Sequence, residues 1–274
     1  MPAISISFNR FLLLFLLQIA VIPLALGELP SLDRQQMQWL GDRVFANECN
    51  RDFDCLTSWN SGEDFPSLGI GHFIWYRAGQ TERFEETFPD LLLYYNQYGI
   101  ALPSWLEVLE NPDSPWLSRE QFLSEQNSTR MQELRQFLAD TTDVQVMFIV
   151  NRLQESTGEL FRSQDDSQRR ALQARFDAIA NADTPLGMYA LIDYVHFKGT
   201  GLSESERYRG QGWGLLQVLI AMDGMDEENS TLDNFVAAAA SVLERRVANA
   251  PSERNEERWL AGWKNRLQTY VPNR

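Results

Sequence analysis

Among 274 residues the chain holds only two histidines, His72 and His196, and two cysteines, Cys49 and Cys55. The histidines stand far apart and neither adjoins the cysteines, which speaks against a metal centre, so no metal and no cofactor are expected. Positive charge is also scarce. Lys and Arg total 24 against 38 Asp and Glu, for a formal charge of −14. Phosphate recognition needs clustered basic residues, so a nucleic-acid partner is not expected, and the same deficit gives no attraction to an anionic membrane. Beyond the first 27 residues no stretch is long and apolar enough to cross a bilayer, and stable membrane insertion is not expected. No internal repeat and no low-complexity run interrupts the chain.

Bulky apolar side chains are well supplied. The hydrophobic fraction is 44% and the aromatic fraction 12%, enough for a substantial packed core. Residues 1–27 read as a secretory leader. Arg10 follows the amino terminus, an apolar stretch runs from Phe11 to Ala25, and Ala25-Leu26-Gly27 is a small-x-small cleavage site. This predicts a periplasmic or secreted protein, cut after Gly27, with residues 28–274 forming one domain. In an exported chain, Cys49 and Cys55 read as a disulfide.

Periodicity predicts a helix from a cap at Ser31 to Glu48, carrying Met37, Leu40, Val44 and Phe45 on its apolar side. Residues 49–67 are polar and turn-rich. Leu68 to Tyr76 reads as a strand, one arm of a hairpin, with Ile70, His72 and Ile74 on one face. The rest is helical: 81–98, 103–109, 118–139 opened by Ser118 as cap, 143–161, 166–180, 184–197, 214–222, 231–249 and 256–270. A glycine-rich loop separates residues 199 and 212. The expected class is α+β, mostly α-helical, with a small β-hairpin near the amino end.

Glu48 continues the Leu40–Val44 face, where the apolar stripe leaves the core. A carboxyl there is partly desolvated, which disfavours its charged form and suits a general acid. The alternative is a solvated last-turn glutamate. A helix-end Glu, a polar turn and then Ser67-Leu68-Gly69-Ile70-Gly71-His72 resemble the phage-type lysozymes of the lysozyme-like muramidase superfamily. Their signature is a helix-end Glu, a hairpin and a T-x-G-x-G-H strand. The likeness covers residues 40–76. It implies an exported bacterial cell-wall enzyme in which Glu48 donates the proton and Ser67 holds the attacking water. The family's second carboxylate has no exact counterpart. Ser61 stands at its spacing, with Glu63 and Asp64 the nearest acids. If Glu63 or Asp64 reaches the site, a two-carboxylate hydrolase is implied. If neither does, a single-acid lytic transglycosylase is implied.

His72 reads more readily as a structural, hydrogen-bonded histidine than as a reactive one. Trp59 and Tyr76 are candidates for stacking on sugar faces, with the core as the alternative for both. Downstream, Gly214-Leu215-Leu216-Gln217-Val218 is similar to the G-L-M-Q-V stretch of lytic transglycosylases. With the glycine-rich loop before it, it predicts Gln217 on the opposite wall of a cleft. Arg246 and Arg258 are candidates for pairing with buried acids. Peptidoglycan is the expected substrate. A silent envelope-binding protein and a chitosanase-like enzyme, whose cationic polymer would suit the −14 charge, are the competing readings.

Overall fold

The first helix, α1 (Arg34–Cys49), starts two residues later than its sequence suggests. Asp33 is the cap, in a reciprocal pair of hydrogen bonds with Gln36. In this computed structural model residues 29–272 are described, apart from 83, 110, 111, 163 and 227. The expected leader lies outside the described residues.

After α1 comes a short 3-10 turn, Phe53–Leu56, followed by three two-residue strands: β1 (Thr57–Ser58), β2 (Ser67–Leu68) and β3 (Phe73–Ile74). They form one antiparallel sheet in the order β1-β2-β3. The single strand expected over 68–76 is therefore corrected. Leu68 pairs with Phe73, and residues 69–72 form the turn between them. Gly69 (φ 67°) and His72 (φ 46°) occupy the left-handed region, which ends extended pairing at both corners. His72 consequently does not alternate with Ile70 and Ile74 on a strand face. Gln145, wholly buried, holds this turn: its Oε1 accepts from the Ile70 amide at 2.9 Å and its Nε2 donates to the Leu138 carbonyl at 2.6 Å. A Cβ on residue 69 would fall 2.3 Å from that Oε1, so the close approach requires glycine.

The helices follow as α2 (Phe88–Gln97), α3 (Ser104–Glu107), α4 (Arg119–Ser124), α5 (Thr129–Asp140), α6 (Thr142–Arg162), α7 (Asp166–Asn181), α8 (Leu186–Lys198), α9 (Leu215–Ala221), α10 (Thr231–Asn249) and α11 (Glu257–Leu267). Two expected helices are shortened or split. The helix predicted from residue 81 starts only at Phe88, with Pro89 in its first turn, where proline is tolerated. The helix predicted from Ser118 to Ala139 breaks after Ser124 because Ser128 supplies a second cap, accepting from the Met131 amide. Between α8 and α9 lies a minimal hairpin, β4 (Arg207–Tyr208) with β5 (Gln211–Gly212). The chain is thus mostly helical with small antiparallel sheets.

Helix α8 lies at the centre. Its residues 187–194 are all buried, as expected of a helix that is apolar all round. It packs against α1, α6, α7 and α9. At Gly187 a Cβ would meet the Ile179 carbonyl oxygen at 1.8 Å, so α7 and α8 can approach only over hydrogen. The buried apolar side chains form one continuous cluster, from Leu40 and Val44 on α1 to Leu267 and Tyr270. Asp193 is the one acid within the buried stretch of α8.

Arg246 meets a buried acid rather than lying on a solvated stripe. The Glu256 side chain is fully enclosed and accepts from Arg246 Nε (2.7 Å), Arg246 Nη2 (2.9 Å) and the Tyr208 hydroxyl (2.8 Å). Arg258, by contrast, lies exposed over the Trp259 ring.

Two expectations follow. Burial alone would raise the Glu256 pKa, but the Arg246 and Tyr208 hydrogen bonds outweigh it and hold the carboxyl below the usual 4.5. The pairing therefore stabilises the fold above about pH 4.5, and that contribution is lost as pH falls through the lowered folded value. Thermal unfolding across pH 7 to 3 should show Glu256→Gln starting lower and losing less than wild type. Parallel curves would count against the pairing. Separately, Gln145→Met strands the Ile70 amide and the Leu138 carbonyl, at about 2–4 kcal/mol. Urea unfolding checks this, and a shift within error would remove Gln145 as the anchor of the turn.

Candidate active site

Helix α1 ends where its apolar face runs out, and Glu48 is the residue there. Its side chain is 14% exposed. A helix carboxyl end disfavours negative charge, and the chain meets that with a cation from α11. Arg266 Nη2 donates to Glu48 Oε1 at 2.5 Å. The same guanidinium grips Asp193 of α8, with Nε on Oδ2 at 2.8 Å and Nη2 on Oδ1 at 2.7 Å. Asp193 also accepts from Asn47 Nδ2 (2.7 Å) and the Tyr270 hydroxyl (2.5 Å), and Asn47 in turn donates to the Tyr189 hydroxyl. A buried carboxylate with four donors is fully satisfied.

The second Glu48 oxygen, Oε2, faces both histidines of the chain. His196 Nε2 lies 3.6 Å away and His72 Nδ1 3.9 Å away. His72 comes from the β2–β3 turn and His196 from the end of α8. The two rings are 6.1 Å apart between centroids. Burial lowers the His72 pKa below its usual 6.5, and His196 beside it adds to the effect, while Glu48 and Glu63 pull the other way. His72 is therefore neutral at pH 7. It stands within electrostatic reach of both Glu48 and Glu63.

A groove of roughly 280 Å³ adjoins this cluster at His196, the one member of the three that lines it. Its lining includes Gly71 and His196, the apolar Ile149, Leu153 and Ile192, and the ion pair of Arg152 with Glu85. Thr200, from the glycine-rich loop, also lines it. Apolar lining with a few convergent polar groups is the usual composition of a small-ligand or oligomer cleft.

The predicted site residues divide. Cys49 and Cys55 are joined as a disulfide, which closes the chain over the turn directly after Glu48. Glu63 is half-buried, with its side chain accepting from Asn60, whereas Asp64 is exposed. Ser67 is buried in β2, opposite Ser58 and Ile74. Three expectations are corrected. Trp59 is 5% exposed, edge-on to Phe122, with its Nε1 donating to the Glu63 carbonyl. Tyr76, also 5% exposed, packs on Phe65 and donates its hydroxyl to the Phe84 carbonyl. Both are core aromatics with satisfied polar ends and present no open face to a sugar. Gln217 does not face the groove either. Its amide accepts from the Gly214 amide and donates to the Gly201 carbonyl, and a Cβ at 201 or 212 would collide with it. Gln217 is the post around which the glycine-rich loop is wound. This explains Gly201 and Gly212 without a ligand.

Sequence reasoning missed Asp193, Arg266, Asn47 and the pairing of the histidines. Asp193 carried a legible signal, an acid inside an otherwise apolar helix. Comparison of the chain with protein-family models, with curated proteins and with solved structures finds no match.

Removing the cation should be expensive. Arg266→Met leaves Asp193, 2% exposed, as a buried charge without its counter-ion, at about 3–5 kcal/mol. Pairing it with Asp193→Leu should recover much of that loss. Denaturant unfolding of the two single variants and the double variant measures the coupling. Additive losses would mean that the pair is not a unit.

Proposed function

We propose that the chain is an exported enzyme of lysozyme-like architecture that cleaves β-1,4-linked amino-sugar polymers, peptidoglycan foremost, with Glu48 as general acid. The observation that carries this reading is the asymmetric setting of the Glu48 carboxyl. Oε1 meets a guanidinium, which has only donors, so a proton on that oxygen would face another N–H. Oε2 meets two imidazoles, which can accept and return protons. A proton passed between Glu48 and a substrate would therefore travel through Oε2, on the side of His196, which lines the groove. Arg266 and Asp193 fix the carboxyl in place, and such preorganisation is what proton transfer to a leaving oxygen requires.

The second group is Glu63. Both Glu48 and Glu63 act electrostatically on His72, and Glu63 is the acid we assign to activate water. Ser67, buried in the strand between, contributes through the backbone frame of the turn. With Glu63 as base, the product carries a reducing end. Without it, the substrate's own hydroxyl attacks and an anhydro sugar results. The −14 charge favours a second substrate, a cationic amino-sugar polymer such as chitosan.

Turbidity loss of purified peptidoglycan, and reducing-sugar release from chitosan, test the reading. Wild type should clear one of them, and Glu48→Gln should lower the rate by about 100-fold or more, the scale of general acid catalysis. Glu63→Gln should lower hydrolysis and shift products toward the anhydro form. If wild type acts on neither polymer, the enzyme reading falls and the silent binding protein replaces it.

A further inference from the structure

We infer that Glu48, His72 and His196 together form a binding site for a divalent metal ion of the zinc class. One ligand atom from each of Glu48, His72 and His196 lies within 4.8 Å of those of the other two. Two of the separations are 3.6 and 3.9 Å. Tetrahedral zinc, with bonds of about 2.0–2.1 Å, sets its ligand atoms about 3.3–3.4 Å apart. The two separations from Glu48 lie about 0.2–0.6 Å beyond that spacing, a gap that side-chain rotation would close.

The surroundings suit an ion as well. The side chains are 14%, 33% and 25% exposed for Glu48, His72 and His196, so an ion can enter and keep an open coordination position. Each ligand comes from a different element, and each is held. Arg266 fixes the other Glu48 oxygen, His196 stands on α8, and His72, at a left-handed φ of 46°, holds Nδ1 3.9 Å from Glu48. A non-glycine residue in that region costs energy and concentrates at functional positions. The sulfur atoms near His72 are bonded to each other and do not compete as thiolates. Two imidazoles and one carboxylate select zinc, copper or nickel over magnesium or calcium, whose sites are built from oxygen. Arg266 brings little repulsion, because Asp193 already neutralises it.

The ion would take the Glu48 oxygen that the proposed acid needs. On that reading, which this consequence rests upon, zinc switches the enzyme off and its removal switches it on.

The test is calorimetric titration of the tag-free chain, stripped with EDTA, with zinc chloride alone. One ion per chain should bind, and His196→Ala and Glu48→Gln should each weaken binding by at least tenfold. Near-UV circular dichroism confirms that each variant is folded, and His72→Asn is added if it folds. Cobalt substitution should give a visible d–d spectrum in wild type that His196→Ala loses. Equal zinc affinity in wild type and both variants would overturn the site and assign the binding to scattered surface carboxylates. So would no binding at all. Zinc should also suppress polymer cleavage at one equivalent, with EDTA restoring it. A chain that binds zinc as expected yet cleaves no polymer would end the enzyme reading and leave the metal site standing.

Discussion

A single guanidinium joins three parts of this molecule. Arg266 reaches from α11 to Asp193 in the middle of α8 and to Glu48 at the end of α1. A carboxylate as buried as Asp193 is costly unless it is paired and fully hydrogen-bonded. Four donors meet that demand here, and they come from residues 47, 266 and 270. The arrangement is thus a constraint before it is a stabiliser, because helices that supply those donors must meet at one point. Where they meet, one oxygen of Glu48 is occupied and the other is left facing the two histidines.

That division of labour within one carboxyl organises the candidate chemistry. A group that must both hold position and exchange a proton usually needs separate atoms for the two tasks. In Glu48 one oxygen has a partner that can only donate, and the other has partners that can donate or accept. The disulfide from Cys49 to Cys55 and the Gln145-anchored turn hold the backbone on either side. The site is therefore framed by α1, the β2–β3 turn, α8 and α11, while the groove beside it is floored by apolar residues of α6 and α8.

Much of this was readable from residue order alone, and what was not has a common cause. Helix α10 and the core face of α1 follow from hydrophobic periodicity, which is local. The disulfide follows from two cysteines in a chain read as exported. Glu48 stood out because it extends an apolar stripe. The turn at 69–72 was read as strand because Ile70, Phe73 and Trp75 are strand-forming residues, and what holds the turn is a partner on a distant helix, Gln145, which accepts from the Ile70 amide. Trp59 and Gln217 were misplaced for the same reason. Trp59 sits in a polar segment yet folds back onto Phe122, and Gln217 turns inward to bind its own loop. The meeting of His72 with His196, and of Arg266 with Glu48, is a product of tertiary packing, which no local pattern records.

The span between Glu48 and Arg266 has a temporal meaning. They are 218 positions apart, and a chain is synthesised from its amino end. Glu48 emerges early and waits, with an incomplete electrostatic cage, until almost all the helical shell exists. A half-made chain carries the acid without the arm that steadies it, so the setting of the Glu48 carboxyl is completed only when the last helices are made.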